Sequence, residues 1–202
     1  MKDLNKLFAS KPFVLASSSP RRKQLLELSG VQFLIDAPRI DETLPAGTSP
    51  AEAALYLAQK KAETIAAKYT KGFILGADTI VIVDNCIFGK PVNEQDAARM
   101  LHLLSDREHD VITGYALLCK PAGTTITGSA RTKVYFKRLS DTEISDYVAT
   151  KMPMDKAGAY GIQDSSAIFV DRIEGCFYNV VGFPLSHFYQ NCMSLLNQNE
   201  NQ

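Results

Sequence analysis

The sequence predicts an α/β protein: a mixed, twisted sheet flanked by helices, in one domain spanning 1–202 with two lobes and a cleft between them. Three observations carry this reading. Helix-period and strand-period segments alternate along the chain, which favours a sheet covered by helices. Hairpin signals interrupt the alternation, so the sheet is mixed rather than purely parallel. No linker cleanly divides the 202 residues, of which 46% are hydrophobic and 22% charged, an ordinary globular composition.

The elements follow in order. Val14, Leu15 and Ala16 are the apolar end of a buried strand. Ser19 then suits a helix N-cap, Pro20 the first helical position and Gly30 the stop, with Leu25, Leu26 and Leu28 on the apolar face. Val31 to Ile35 reads as a strand, followed by the loop "DAPRIDET". The clearest helix is "SPAEAALYLAQKKAETIAAKY", where Ser49 and Glu52 form a capping box around Pro50. In "GFILGADTIVIVDNCIFGKP" two apolar strands flank Gly76 to Thr79, and Asp84-Asn85 makes a hairpin turn. A helix from Asn93 spaces Ala97, Met100, Leu101 and Leu104 on one face. Asp110 to Phe136 is a long hairpin with "PAGTT" at its tip. Ser140 and Glu143 form a second capping box. The glycine-rich loop "DKAGAYGIQ" leads to the strands "AIFVDRIEG" and "CFYNVVG", and Pro184 starts the final helix before a frayed tail at 197–202.

Lys+Arg and Asp+Glu both number 22, so the chain lacks the basic excess of a nucleic-acid or membrane-surface binder. No apolar run approaches a signal peptide or membrane span, which makes the cytoplasm the expected compartment. The four cysteines (Cys86, Cys119, Cys176, Cys192) and three histidines are scattered, so buried free thiols are expected rather than a zinc site.

Polar residues in apolar or constrained settings are the candidates for chemistry. "LASSSPRRKQLL" sets hydroxyls and guanidiniums at the mouth of a helix, whose free N–H groups attract phosphate while Arg21 and Arg22 add forked donors; an ordinary capped helix with two solvated arginines is the alternative. Asp78 interrupts "FILGADTIVIV", where a carboxylate is costly to bury unless it meets a metal, a donor or a proton. Its alternative role is to turn the chain after Gly76 and cap backbone N–H groups. Asp41 and Glu42 are weak signals, and Lys61 alone is a solvated helix lysine. Lys90, between Gly89 and Pro91, has a fixed direction. Asp155, Lys156 and Gln163 flank glycines that let backbone approach a ligand, or simply join two elements tightly.

Together "LASSSPRRKQLL", "GADTIVIV", "GKP", "DKAGAYGIQ" and "VVGFPL" resemble the ordered motifs of the Maf family of nucleoside triphosphate pyrophosphatases, over about Val14 to Leu185. The resemblance implies a deep cleft, kinship with the inosine triphosphate pyrophosphatases, a homodimer, and hydrolysis of a nucleoside triphosphate to monophosphate and pyrophosphate. It places functional positions on Ser17, Arg21, Arg22, Glu42, Lys61, Asp78, Thr79, Lys90 and Gln163. Ser17, Arg22, Lys61 and Lys90 would hold the triphosphate. Glu42 and Asp78 would bind Mg²⁺ or Mn²⁺, whose hardness suits carboxylate and phosphate oxygens. Asp78 has a competing role as the group that orients or deprotonates the attacking water. Two departures from the family pattern, Asp106 for a common glycine and Phe183 for a usual leucine, touch none of these positions.

Within the family, a dTTP/UTP branch resembles this chain more than a 7-methyl-GTP branch does. In the latter, Arg21, Thr79 and Gln163 correspond to tryptophan, glutamine and glutamate. A cationic methylguanine favours an aromatic face and an acid, whereas neutral uracil or thymine suits an amide that both donates and accepts. The expected substrates are dTTP and UTP. The alternatives are the same reaction on another nucleotide such as 7-methyl-GTP, or a nucleotide-binding regulator of septum formation and cell division without significant catalysis.

Overall fold

A computed structural model describes residues 4–199. A short helix, α1 (Leu4–Phe8), precedes β1 (Phe13–Ala16), α2 (Pro20–Glu27), β2 (Leu34–Ile35) and α3 (Pro50–Ala66). The chain continues through β3 (Gly72–Val83), β4 (Cys86–Phe88), α4 (Glu94–Leu104), the hairpin β5 (Glu108–Lys120) and β6 (Thr124–Phe136), and α5 (Asp141–Ala149). Three 3₁₀ turns (Met152–Asp155, Ala157–Ala159, Ser165–Phe169) lead to β7 (Val170–Glu174), α6 (Phe177–Val181) and α7 (Leu185–Asn199). The strands form one seven-stranded sheet in the order β2-β1-β3-β5-β6-β7, with β4 pairing β3. β1 runs parallel to β2 and β3, while β4 against β3 and β7 against β6 are antiparallel. The sheet is therefore mixed, as expected.

Residues cluster into two compact units: Met1–Asp78 with Thr113–Ala130 and Gly182–Gln202, and Thr79–Ile112 with Arg131–Val181. In the first, Val14, Ala16, Ala62, Ile65, Ala66, Ile74 and Ala116 form a core of mainly small residues. α3 lies very close to the sheet here. A Cβ on Gly76 would sit 2.2 Å from the Ala58 carbonyl oxygen, and one on Gly114 would sit 2.5 Å from the Leu55 nitrogen. Only glycine leaves room for the helix backbone at these two points. The second unit has a larger core, in which α4 and α5 bury Met100, Leu101, Leu104, Ile144 and Tyr147 beside Phe136, Tyr160 and Phe169.

Ser19, Ser49, Asn93 and Ser140 all cap their helices, with capping boxes at Ser49 and Ser140. Other expectations need correction. Gly72–Val83 is one continuous strand, because Gly76 serves close helix packing and not a turn. The strand expected over Val31 to Ile35 shrinks to Leu34–Ile35, an exposed edge strand paired with β1. The strand "AIFVDRIEG" begins only at Val170, since Asp164 accepts from the Ser166 N–H and caps a 3₁₀ turn instead. "CFYNVVG" is not a strand but contains α6. There the fully buried Asn179 donates to the Val111 carbonyl (2.9 Å) and the Thr132 hydroxyl (3.0 Å), so tertiary hydrogen bonds override the β-branched and aromatic composition. Of the four free thiols only Cys192 is buried; Cys86 is exposed on the short strand β4. Helix α1 is not among the elements expected from the sequence, although Leu4, Leu7 and Phe8 stand at helical spacing; its Phe8 packs edge-on against Phe13 and Phe73. Of the expected tail, α7 takes in residues to Asn199, and 200–202 lie outside the described residues. Both departures from the family pattern fit their places. Asp106 stands at φ 58°, a left-handed conformation that aspartate tolerates, and Phe183 is fully buried against Tyr115 and Phe188.

His109 on β5 is buried edge-on to Phe136 and Tyr160, with Nε2 2.7 Å from the Tyr160 hydroxyl and Nδ1 buried without a partner. Burial pulls its pKa down to about 4, against a weaker upward pull from Asp110. An unfolded histidine titrates near 6.5. Between these values the unfolded chain binds more protons, so His109 removes stability as pH falls from about 6.5 to about 4, by roughly 1 kcal/mol per pH unit. Urea midpoints at pH 7.5 and pH 4.5 should therefore fall further for wild type than for His109→Gln. Equal drops would assign the acid sensitivity to other groups.

Candidate active site

β1 and α3 set the geometry. β1 pairs with β3 so that Ala16 opposes Gly76, which puts Ser17 just past the end of β1 and Asp78 two residues further along β3. The carboxyl ends of parallel strands are where open α/β sheets present ligands with side chains. The close approach of α3 at Gly76, where an added Cβ would also press on the Ala62 nitrogen at 2.7 Å, brings Lys61 to the same place. Its ammonium pairs with the Asp78 carboxylate and, at 2.8 Å, with Glu42. Both members of the Lys61–Asp78 pair are mostly buried, with side chains 14% and 12% exposed, while Glu42 is 55% exposed. Lys60 donates to the Asp41 carbonyl at 2.6 Å, so two consecutive lysines grip two consecutive residues of the loop that carries Glu42.

Burial drives the Asp78 pKa upward, and Glu42 adds to that; Lys61 and Arg22 pull it back. Arg22 is buried as well, and burial lowers its pKa while Asp78 opposes the change. Its Nε donates to the Gly182 carbonyl (3.0 Å) and its Nη1 to Ser17 Oγ (2.7 Å). Ser17 Oγ also accepts from the Ser19 N–H at 3.2 Å. With both lone pairs engaged from within, the Ser17 hydroxyl has its own proton left to give to an anion. Arg21 follows Pro20 in the first turn of α2, where the helix N–H groups and dipole favour negative charge.

The first unit thus gathers Ser17, Arg22, Glu42, Lys61 and Asp78, with Arg21 beside Arg22. Thr79, Lys90 and Gln163 belong to the second. Thr79 follows Asp78 directly in β3 and is half-buried, and Lys90 is exposed after β4. The Gly158 N–H donates to the Gly89 carbonyl at 3.0 Å, tying the turn before Lys90 to the glycine-rich loop that leads to Gln163. Sequence reasoning missed Gly182, whose carbonyl orients Arg22. A backbone acceptor 160 residues away leaves no local signal.

Among the described residues no three His, Cys, Asp or Glu side chains form a cluster. The oxygen donors are two carboxylates, Asp78 and Glu42, which converge on one cationic point, Lys61 Nζ. That donor set fits Mg²⁺ or Mn²⁺, which take one or two carboxylates and complete their shell with phosphate oxygens and water.

The fold and the placement of these residues define an α/β protein that concentrates paired charges beyond the end of a parallel strand. The family model described as "Maf-like protein" matches residues 12–195, and the chain belongs to that family. A protein of Geobacillus sp. named dTTP/UTP pyrophosphatase is 52% identical over 176 residues, covering 87% of this chain and 94% of its own. Proteins with the same name from Bacillus cytotoxicus and Bacillus cereus are each 48% identical, over 87% of this chain and 91% and 86% of theirs.

Removing one partner of a largely buried ion pair leaves the other charge uncompensated. Lys61→Met should accordingly cost about 3 kcal/mol of stability in urea unfolding, and Lys61→Met with Asp78→Asn should recover most of it. An unchanged midpoint for the single variant would mean that Arg22 alone compensates Asp78.

Proposed function

We propose that the chain is a nucleoside triphosphate pyrophosphatase that hydrolyses dTTP and UTP to the monophosphate and pyrophosphate. The observation that carries the proposal is the buried Lys61–Asp78 pair, joined by Glu42 and set beside Arg22 and Ser17. Cations beside an acid of raised proton affinity suit an attack on phosphate, where charge must be neutralised and a proton removed. Ser17, Arg22, the α2 N-terminus, Lys61 and Lys90 hold the triphosphate. Asp78 accepts a proton from water as its oxygen bonds to the α-phosphorus. The bond from that phosphorus to the bridging oxygen breaks, and pyrophosphate leaves with the electron pair. A raised carboxylate pKa makes a stronger base near neutral pH. Glu42 would hold Mg²⁺ or Mn²⁺, which when bound supplies charge neutralisation for the phosphates; Asp78 is the second oxygen donor to the metal only where it does not serve as the base, since a metal-bound carboxylate takes a proton less readily.

Arg21, Thr79 and Gln163 select the base. The Gln163 amide answers both the carbonyls and the N–H of uracil or thymine, and Thr79 adds a small hydroxyl. The relatives named dTTP/UTP pyrophosphatase, at about half identity over most of the chain, support this choice. The reading extends to a homodimer acting in the cytoplasm; no described helix is long and apolar enough to cross a membrane.

Pyrophosphate should be the first product from dTTP or UTP, and chelator should abolish its release. Asp78→Asn should lower kcat by about 10²-fold or more with the fold intact, the scale for losing a positioned catalytic group. Orthophosphate as first product, full activity in chelator, or a folded Asp78→Asn enzyme at normal turnover would each sink the mechanism. Specificity is tested separately. Combining Arg21→Trp with Gln163→Glu supplies an aromatic face and an acid for a cationic base, which should shift kcat/KM towards 7-methyl-GTP by about tenfold or more relative to UTP. An unchanged ratio would mean that these side chains do not face the base.

A further inference from the structure

Gln163 owes its position to a closed set of bonds around it. The Asp164 N–H donates to the Gly161 carbonyl at 3.0 Å, which makes Gly161–Asp164 a β-turn with Ile162 and Gln163 at its corners. The Gln163 side chain is exposed, whereas its neighbours are fixed. The Asp164 carboxylate accepts from the Ser166 N–H (2.9 Å), the Ser166 hydroxyl (2.7 Å) and the Tyr147 hydroxyl (3.2 Å), and pairs with Lys156 at 3.3 Å. Ser166 is fully buried, and its oxygen accepts from the Gly161 N–H at 3.0 Å. Asp164 and Ser166 therefore join both ends of the turn. Tyr147 anchors the set to α5, in the core of the second unit. Lys156, whose ammonium also donates to the Met152 carbonyl and to Asp155 at 2.8 Å, lies on the other side: its alkyl stem is so close over Gly161 that a Cβ there would come within 2.7 Å of it. A carboxylate with this many donors at a turn is far more than capping needs, and capping alone would not require Tyr147 or Lys156.

We propose that Asp164, with Ser166, Tyr147 and Lys156, is a positioning group that presents the Gln163 amide to the base and so sets pyrimidine selection, an inference that rests on the base-reading role given to Gln163 above. The network acts through Gln163, and none of its members is among the residues assigned above to the phosphates. A base contact made equally in ground and transition states affects KM and leaves kcat alone. Loss of the network should therefore weaken recognition of the base without slowing the chemistry.

The test compares Gln163→Ala, Asp164→Ala, Asp164→Asn, Ser166→Ala and the Gln163→Ala/Asp164→Ala double variant. KM and kcat are measured on dTTP and UTP, together with inhibition by inorganic tripolyphosphate, which has no base. Gln163→Ala and Asp164→Ala should each raise both KM values about tenfold, the cost of one mispositioned hydrogen-bonding group, with kcat within about twofold and tripolyphosphate inhibition unchanged. The double variant should match Gln163→Ala alone, because two residues acting through one contact are not additive. Asp164→Asn, which keeps a capping oxygen, should restore part of the affinity. Ser166→Ala removes a single hydroxyl and should shift KM in the same direction by about threefold, so the proposal stays testable should Asp164→Ala fail to fold. If Gln163→Ala leaves KM unchanged, the base-reading role falls and the proposal falls with it. If Gln163→Ala raises KM while the Asp164 and Ser166 variants do not, positioning alone is overturned. Equal losses on tripolyphosphate, or additive effects in the double variant, overturn it too.

Discussion

The candidate site depends on how closely α3 can approach β3. Without side chains at Gly76 and Gly114, the helix backbone reaches the sheet, and that distance decides whether the Lys61 ammonium meets Asp78 or water. Burying a carboxylate on a sheet is costly alone. Burying it against an ammonium, with a guanidinium nearby, gives a charged pair whose cost is offset by its own attraction. Packing of small residues thus sets the electrostatics of the site.

From that pair the other groups follow in sequence. Lys61 reaches outward to Glu42, and Lys60 fixes the preceding residue of the same loop. Asp78 acts on Arg22 through charge, while Arg22 is aimed by Gly182 and shares Ser17 with the Ser19 N–H. Ser17 and Arg22 are each tied to a backbone group, and Lys61, Asp78 and Glu42 are held by one another's charges. Sites of this kind hold their donors in place before a ligand arrives, so reorganisation during reaction is small.

Much of this was legible in the chain where the deciding physics is local. Ser19, Ser49, Asn93 and Ser140 cap helices through contacts three residues away, and such contacts are written in adjacent letters. Asp78 stood out because a carboxylate in an apolar run demands a partner. Lys61 did not: on its helix it reads like any solvated lysine, and only the packing of α3 reveals otherwise. "CFYNVVG" has strand composition, yet Thr132 and Asn179 hold it in a helical turn through bonds 44 and 47 residues long in sequence. Gly76 is visible in the sequence without its role, since a glycine that turns the chain and one that admits a helix look the same in a string of letters.

The loop carrying Glu42 is held unevenly. Asp41 and Glu42 are gripped by the paired lysines, and Ser49 is fixed as the α3 cap. Between these anchors the chain bends at Pro45, whose carbonyl accepts from Thr48, and Gly47 has nothing within 4 Å of where a Cβ would stand. An insertion between Ala46 and Gly47 would be accommodated in solvent, with both flanking anchors undisturbed. The segment is thus a natural graft point beside the candidate site: a fluorophore or peptide epitope placed there would report on its surroundings while Glu42 keeps its place.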